Sequence, residues 1–154
     1  MTVETRERTE RNVPKLANQI VVLLLHSPLH RLVSKNLLLL TFKGRKTGKF
    51  YTIPVGYGRR GNTLILFTDH QWYKNLVVYP KVKVRLQGKE LTGIAEVIRK
   101  DKALTAEEMA SFVRQHPGVG RAYSVTFDAN GQLNQETLRS AAERFMLIRV
   151  HLDQ

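Results

Sequence analysis

Read for apolar and polar positions alone, the chain divides into three parts. From Val13, "VPKLANQIVVLLL" places Leu16, Ile20, Leu23 and Leu24 on one stripe, the pattern of an amphipathic helix. Pro28 interrupts it and "LHRLVSK" adds a further turn, so a helix is predicted over about residues 14–35 behind a polar, flexible tail at 1–12. The middle of the chain is rich in strands. "LLLLTF" (Leu37–Phe42) reads as a buried strand closed by the turn "KGRKTGK". In "FYTIPVGYG", Tyr51, Ile53, Val55 and Tyr57 share one face, while Phe50, Thr52, Pro54 and Gly56 share the other. "RRGN" turns into "TLILFT", and "QWYKNLVVYP" is a short helix stopped at Pro80. Two further strands follow, "KVKVRLQ" with Val82, Val84 and Leu86 inward, and "ELTGIAEVI".

The last third is helical, then extended. "TAEEMASFVRQH" opens on a Thr105…Glu108 pair spaced like a capping box. "HPGVGRAYS" is a loop, "DANGQL" a turn, "NQETLRSAAERF" a helix and "FMLIRVHL" a final strand. About six strands without βαβ alternation predict an α+β protein. Its mostly antiparallel sheet would curl into a small barrel, with an N-terminal helix and flanking C-terminal helices. One domain over residues 13–154 follows from the length, enough to bury about two thirds of the unfolded surface.

Charge sharpens this outline. The formal net charge is +12, and its distribution is uneven. Residues 11–68 hold ten Lys/Arg and no acid, whereas residues 101–154 hold six bases and seven acids. An anionic partner is therefore expected at the N-terminal half. With no cysteine, disulfides, thiolate metal sites and cysteine nucleophiles are excluded, which fits a cytoplasmic location. No secretory leader is read at the start, and "IVVLLL" is far short of the roughly 20 residues of a membrane span. Leu16–Leu24 with Lys15, Arg31 and Lys35 nonetheless has the composition of a helix that touches an anionic bilayer.

Two stretches have the chemistry to meet an anion. In the turn after the first strand, Gly44 and Gly48 free the backbone to present N–H groups, and Arg45, Lys46 and Lys49 add charge. It is neither a Walker A loop nor a dinucleotide fingerprint. "WYKNL" sets Trp72 and Tyr73 beside Lys74 and Asn75, and an indole or phenol there can cover a flat ring. The histidines form no metal-ligand spacing: Pro28 separates His26 from His30, and Asp69–His70 has no partner in sequence. No nucleophile elbow or carboxylate pair is present, so an enzyme built on this chain needs a cofactor for its chemistry.

These stretches, in this order, resemble the deazaflavin-dependent nitroreductase family, split-β-barrel oxidoreductases distantly similar to pyridoxamine 5′-phosphate oxidases. The resemblance rests on the G-R-K-[ST]-G turn, on Thr52, Pro54 and Tyr57 in the following strand, and on W-Y-x-N-L followed by a proline and a basic-apolar strand. It covers about residues 37–98. It implies reduced coenzyme F-420 as cofactor, with a hydride passed to a small unsaturated acceptor such as a quinone or nitroaromatic. Arg45, Lys46, Thr47 and Gly48 would cradle the phosphate. Lys49, Tyr51 and Pro54 would lie along the same binding region, with Trp72, Lys74 and Asn75 beside the cofactor. Many members carry an arginine shortly after the turn where this chain has Tyr51, which removes one anion contact. Tyr123 and Ser124 are candidates to donate a proton to the reduced acceptor. FMN, also a phosphate on a flat ring, is the alternative cofactor. A basic nucleic-acid-binding module is the alternative from another class, and a monomer or homodimer is expected.

Overall fold

A computed structural model describes residues 37–154. The expected tail at 1–12, the helix over about 14–35, its membrane contact and His26 and His30 lie outside the described residues. Seven strands form one antiparallel sheet: β1 Leu37–Lys43, β2 Phe50–Gly56, β3 Gly58–Arg60, β4 Thr63–Thr68, β5 Lys81–Leu86, β6 Lys89–Ile98 and β7 Met146–Leu152. Helix α1 (Tyr73–Val78) lies between β4 and β5. Helix α2 (Lys102–Gln115), a 3₁₀ segment (Pro117–Tyr123) and helix α3 (Gln135–Arg144) lie between β6 and β7.

The strand order β2-β1-β5-β6-β7-β4-β3 puts β2 and β3 at opposite ends of the hydrogen-bonded series. Yet Tyr57 alone separates them in the chain. The sheet must therefore curl until its two edges meet, which makes it a barrel. Alternation along each strand then sorts the side chains. Leu38, Leu40, Phe42, Val55, Leu66, Val84, Ile148 and Val150 fill the interior. The six strands expected from sequence become seven because "FYTIPVGYGRR" breaks at Tyr57, whose side chain is buried in the barrel.

A second core lies on the outside of the barrel wall. β4 is buried on both faces: Leu64 and Leu66 point into the barrel, Ile65 and Phe67 to the helices. β7 does likewise, with Leu147 facing the helices and Ile148 the barrel. Met109, Phe112 and Val113 of α2 and Leu138 and Ala141 of α3 complete this layer.

Two local expectations change. Helix α2 starts before Thr105, because Asp101 caps it: the Asp101 carboxylate accepts the Leu104 N–H at 3.0 Å. Thr105 and Glu108, read as a capping box, are instead buried. The Thr105 hydroxyl donates to the Asp101 carbonyl at 3.0 Å. The Glu108 carboxylate accepts from Arg60 at 3.0 Å and from Arg149 at 3.2 Å, which clamps α2 to β3 and β7. The segment expected as a loop at 116–124 is mostly the 3₁₀ turn. It ends at Ser124, a non-glycine residue in the left-handed region with φ 57°.

Candidate functional site

The β1–β2 turn is built around two glycines. The Gly44 N–H donates to the Lys49 carbonyl at 2.7 Å, and the Gly48 N–H to the Gly44 carbonyl at 2.9 Å. Gly48 takes φ +69°, which favours glycine. A Cβ at Gly44 would stand 2.5 Å from Tyr51 Cε2 and 2.9 Å from Thr47 Oγ1, so a side chain there would push both groups aside. Thr47 and Tyr51 share a hydroxyl–hydroxyl hydrogen bond of 2.8 Å, and Thr47 Oγ1 also accepts the Lys49 N–H at 3.2 Å.

Asn75 on α1 ties this turn to the helix. Its Oδ1 accepts both the Arg45 main-chain N–H at 2.9 Å and Arg45 Nη1 at 3.0 Å. Its Nδ2 donates to the Trp72 carbonyl at 3.0 Å. The guanidinium is thus held by one nitrogen and keeps most of its donors unengaged by Asn75. Between turn and helix opens a cleft of about 300 Å³. Phe42, Tyr51, Ile53 and Trp72 give it an apolar wall, and Gly44, Arg45, Lys46, Thr47 and Asn75 the polar part. The rings of Phe42 and Trp72 stack at 5.7 Å between centroids with 22° between planes. Among the described residues no carboxylate lines this cleft.

The structure thus brings Arg45, Lys46, Thr47, Tyr51, Trp72 and Asn75 to one place. Gly48 and Lys49 complete the turn beside it, and Lys74 lies half-buried on α1 without lining the cleft. Pro54 pairs with Leu39 outside the lining. Gly44, expected to free the turn's backbone, also lines the cleft, whereas Phe42 and Ile53 were missed as lining residues. Strand alternation carried the signal for both: Phe42 shares the face of Leu38 and Leu40, and Ile53 that of Tyr51.

Tyr123 and Ser124 are not brought to the cleft. Tyr123 is packed in the helix-side core against Phe67 at 5.6 Å, Phe112 at 6.1 Å and Phe145 at 5.1 Å between centroids. Burial pushes its phenol pKa up to about 12. The unfolded phenol ionises near 10, so between pH 10 and 12 only the unfolded state loses the proton. Stability therefore falls as pH rises through this window, by about 3 kcal/mol in all. Denaturant titrations between pH 9 and 12 are expected to show this fall, and Tyr123→Phe to remove most of it. An equal slope in the variant would mean that other groups cause the loss.

Among the described residues no group of three or more His, Asp or Glu is placed to hold a metal ion. No described helix is long and apolar enough to cross a membrane.

The family model described as F420H(2)-dependent quinone reductase matches residues 7–126. A candidate pyridoxamine 5′-phosphate oxidase from Listeria innocua aligns over 90% of this chain and 94% of its own, at 13% identity and a TM-score of 0.52. An FAD-binding protein from Mesorhizobium loti aligns over 83% and 91%, at 17% identity and a TM-score of 0.50. An F420-H2 dependent reductase aligns over 75% and 93%, again at 17% identity and 0.50. At these identities the likeness is one of fold, and it is to split barrels of the kind expected from sequence. No curated protein sequence matches the chain.

Proposed function

Because the chain belongs to the F420H(2)-dependent quinone reductase family of F420-dependent oxidoreductases, we propose that it passes a hydride from reduced coenzyme F420 to a quinone and holds the coenzyme's phosphate end at the Gly44–Lys49 turn. One observation supports this above others. A guanidinium, an ammonium and a glycine-built turn share a cleft with stacked aromatic rings, and no acid is among its described lining residues. That donor set suits a phosphate attached to a flat ring.

Each residue has a physical task in this reading. Asn75 fixes the root of Arg45, so the fork is already oriented and less entropy is lost on binding. Lys46, exposed at the rim, adds a point charge that steers an anion inward. Phe42 and Trp72 offer an apolar surface that excludes water from one side of a bound ring. When bound, reduced F420 supplies the hydride. The protein's part is orientation and desolvation, which fits the scarcity of acid–base groups in the cleft. Tyr123 and Ser124 have no part in this reading, and the nitroaromatic acceptors implied by the family resemblance stay secondary to the quinone.

The test uses Trp72, the one tryptophan of the chain. Its fluorescence is expected to be quenched by F420, and F420H2 is expected to be oxidised when menadione is added with the protein. Quenching by FMN and not by F420 would move the chemistry to flavins. Binding of neither would overturn the reading. Steep, salt-dependent binding of oligonucleotides without F420 binding would favour the nucleic-acid alternative.

A further inference from the structure

On the back of the same hairpin lies a larger groove, about 680 Å³, in the size range of small-molecule sites. Strand alternation separates it from the cleft: Phe42 points inward to the cleft, while its neighbours Thr41 and Lys43 line the groove. The register sets out two outward-facing rows. Thr52, Thr41, Lys83 and Thr92 are successive partners across β2, β1, β5 and β6. Beside them, Lys43 pairs with Phe50, and Lys81 with Ile94. Tyr79 and Pro80, leaving α1 for β5, close one side.

The chemistry of this groove is amphipathic. Phe50 is 72% exposed, a high figure for a phenylalanine. Tyr79 is also exposed, and Lys43 Nζ sits 4.8 Å from its ring centroid. Lys83 is partly offset by Glu90, with Nζ 3.6 Å from Oε1. Lys81 pairs with no acid among the described residues. Three ammonium groups therefore face aromatic and aliphatic surface, and among the described residues that line the groove none carries a carboxylate.

We propose that this groove is a second ligand site, separate from the cleft, for a flat aromatic monoanion such as an aryl carboxylate or sulfonate. Phe50 and Tyr79 supply faces for a ring, while Lys81 and Lys43 meet the negative group. A bare phosphate would leave the aromatic wall unused, and no glycine is among the described lining residues to form a phosphate-binding turn. A single-stranded nucleic acid needs successive stacking faces, and the groove offers one such pair.

The experiment is calorimetric titration of the full chain with 2-naphthoate, and with neutral 2-naphthylmethanol as comparator. Naphthoate is expected to bind and the alcohol to bind more weakly. The Lys43→Gln/Lys81→Gln variant is expected to lose affinity about tenfold, as one charge-assisted contact would give. Phe50→Ser, at an exposed position that the fold tolerates, is expected to weaken both compounds. Arg45→Ala/Lys46→Ala is expected to leave naphthoate binding unchanged, whether or not the cleft binds F420. Equal affinity for the alcohol, or unchanged binding in both groove variants, would overturn the proposal. So would loss of binding in the Arg45/Lys46 variant, which would place naphthoate in the cleft. Co-sedimentation with phosphatidylglycerol vesicles without naphthoate binding would replace the small anion by a lipid surface.

Discussion

Replacing Arg45 and Lys46 together by alanine is expected to weaken F420 binding about a hundredfold while leaving the melting temperature close to that of the parent. Each lost charge-assisted contact to a phosphate accounts for about tenfold after allowance for the exposure of Lys46. The fold should survive because the bond that docks the turn on α1 comes from the Arg45 main-chain N–H, which alanine keeps. Only the Arg45 Nη1 contact to Asn75 is lost. Raising the ionic strength should weaken binding to the parent and have less effect on the double variant. Lys46→Ala alone is expected to cost about tenfold. Undiminished affinity in the double variant would move the phosphate end away from this turn.

The second large effect concerns stability. Phe67→Ala is expected to cost 3–5 kcal/mol, roughly what truncating a buried phenylalanine costs elsewhere. Phe67 reaches from β4 into the helix-side core, with Phe112 at 6.0 Å and Tyr123 at 5.6 Å between ring centroids. Its removal leaves a void where the helical layer meets the barrel wall. Urea unfolding would measure the loss. The cleft draws its lining from β1, β2, α1 and the β1–β2 turn, and none from the helix-side core. The folded fraction of Phe67→Ala is therefore expected to bind F420 as the parent does. Parallel loss of affinity and stability would show that the helical layer supports the cleft.

The barrel was legible because its strands obey a period of two. Val82, Val84 and Leu86 alternate cleanly with exposed Lys and Arg neighbours, and Leu38, Leu40 and Phe42 are buried between half-buried ones. What escaped the pattern has local causes. The break at Tyr57 leaves no periodic mark, since β3 is only three residues long, too short for a period to show. "TLILFT" reads as a buried strand, but hydropathy cannot say that its two faces serve different cores. Thr105 and Glu108 have capping-box spacing, yet Asp101 takes the cap and Arg60 and Arg149 take the glutamate. Those arginines are 48 and 41 residues away from Glu108 in sequence, beyond the reach of a local motif.

The site was half legible for a similar reason. The charges and aromatics of the two motifs are visible as residue types, but Asn75 was grouped with the ligands when its amide is engaged with Arg45 and the Trp72 carbonyl. Sequence offers no way to tell a ligand from the residue that orients it. Tyr123 shows the converse: a phenol in a predicted loop looked available, while the 3₁₀ turn and three surrounding rings bury it.

The pairing of β7 with both β4 and β6 has a consequence for biosynthesis. Until the ribosome has released residues 146–152, β4 and β6 have no strand between them, and the emerging chain holds two unfinished sheet edges. The β1–β2 hairpin can form early from contacts close in sequence, whereas closure joins residues more than eighty positions apart, Thr63 with His151. A nascent chain stalled before β7 would thus expose Leu64, Leu66 and the apolar face of β6, a natural substrate for chaperones.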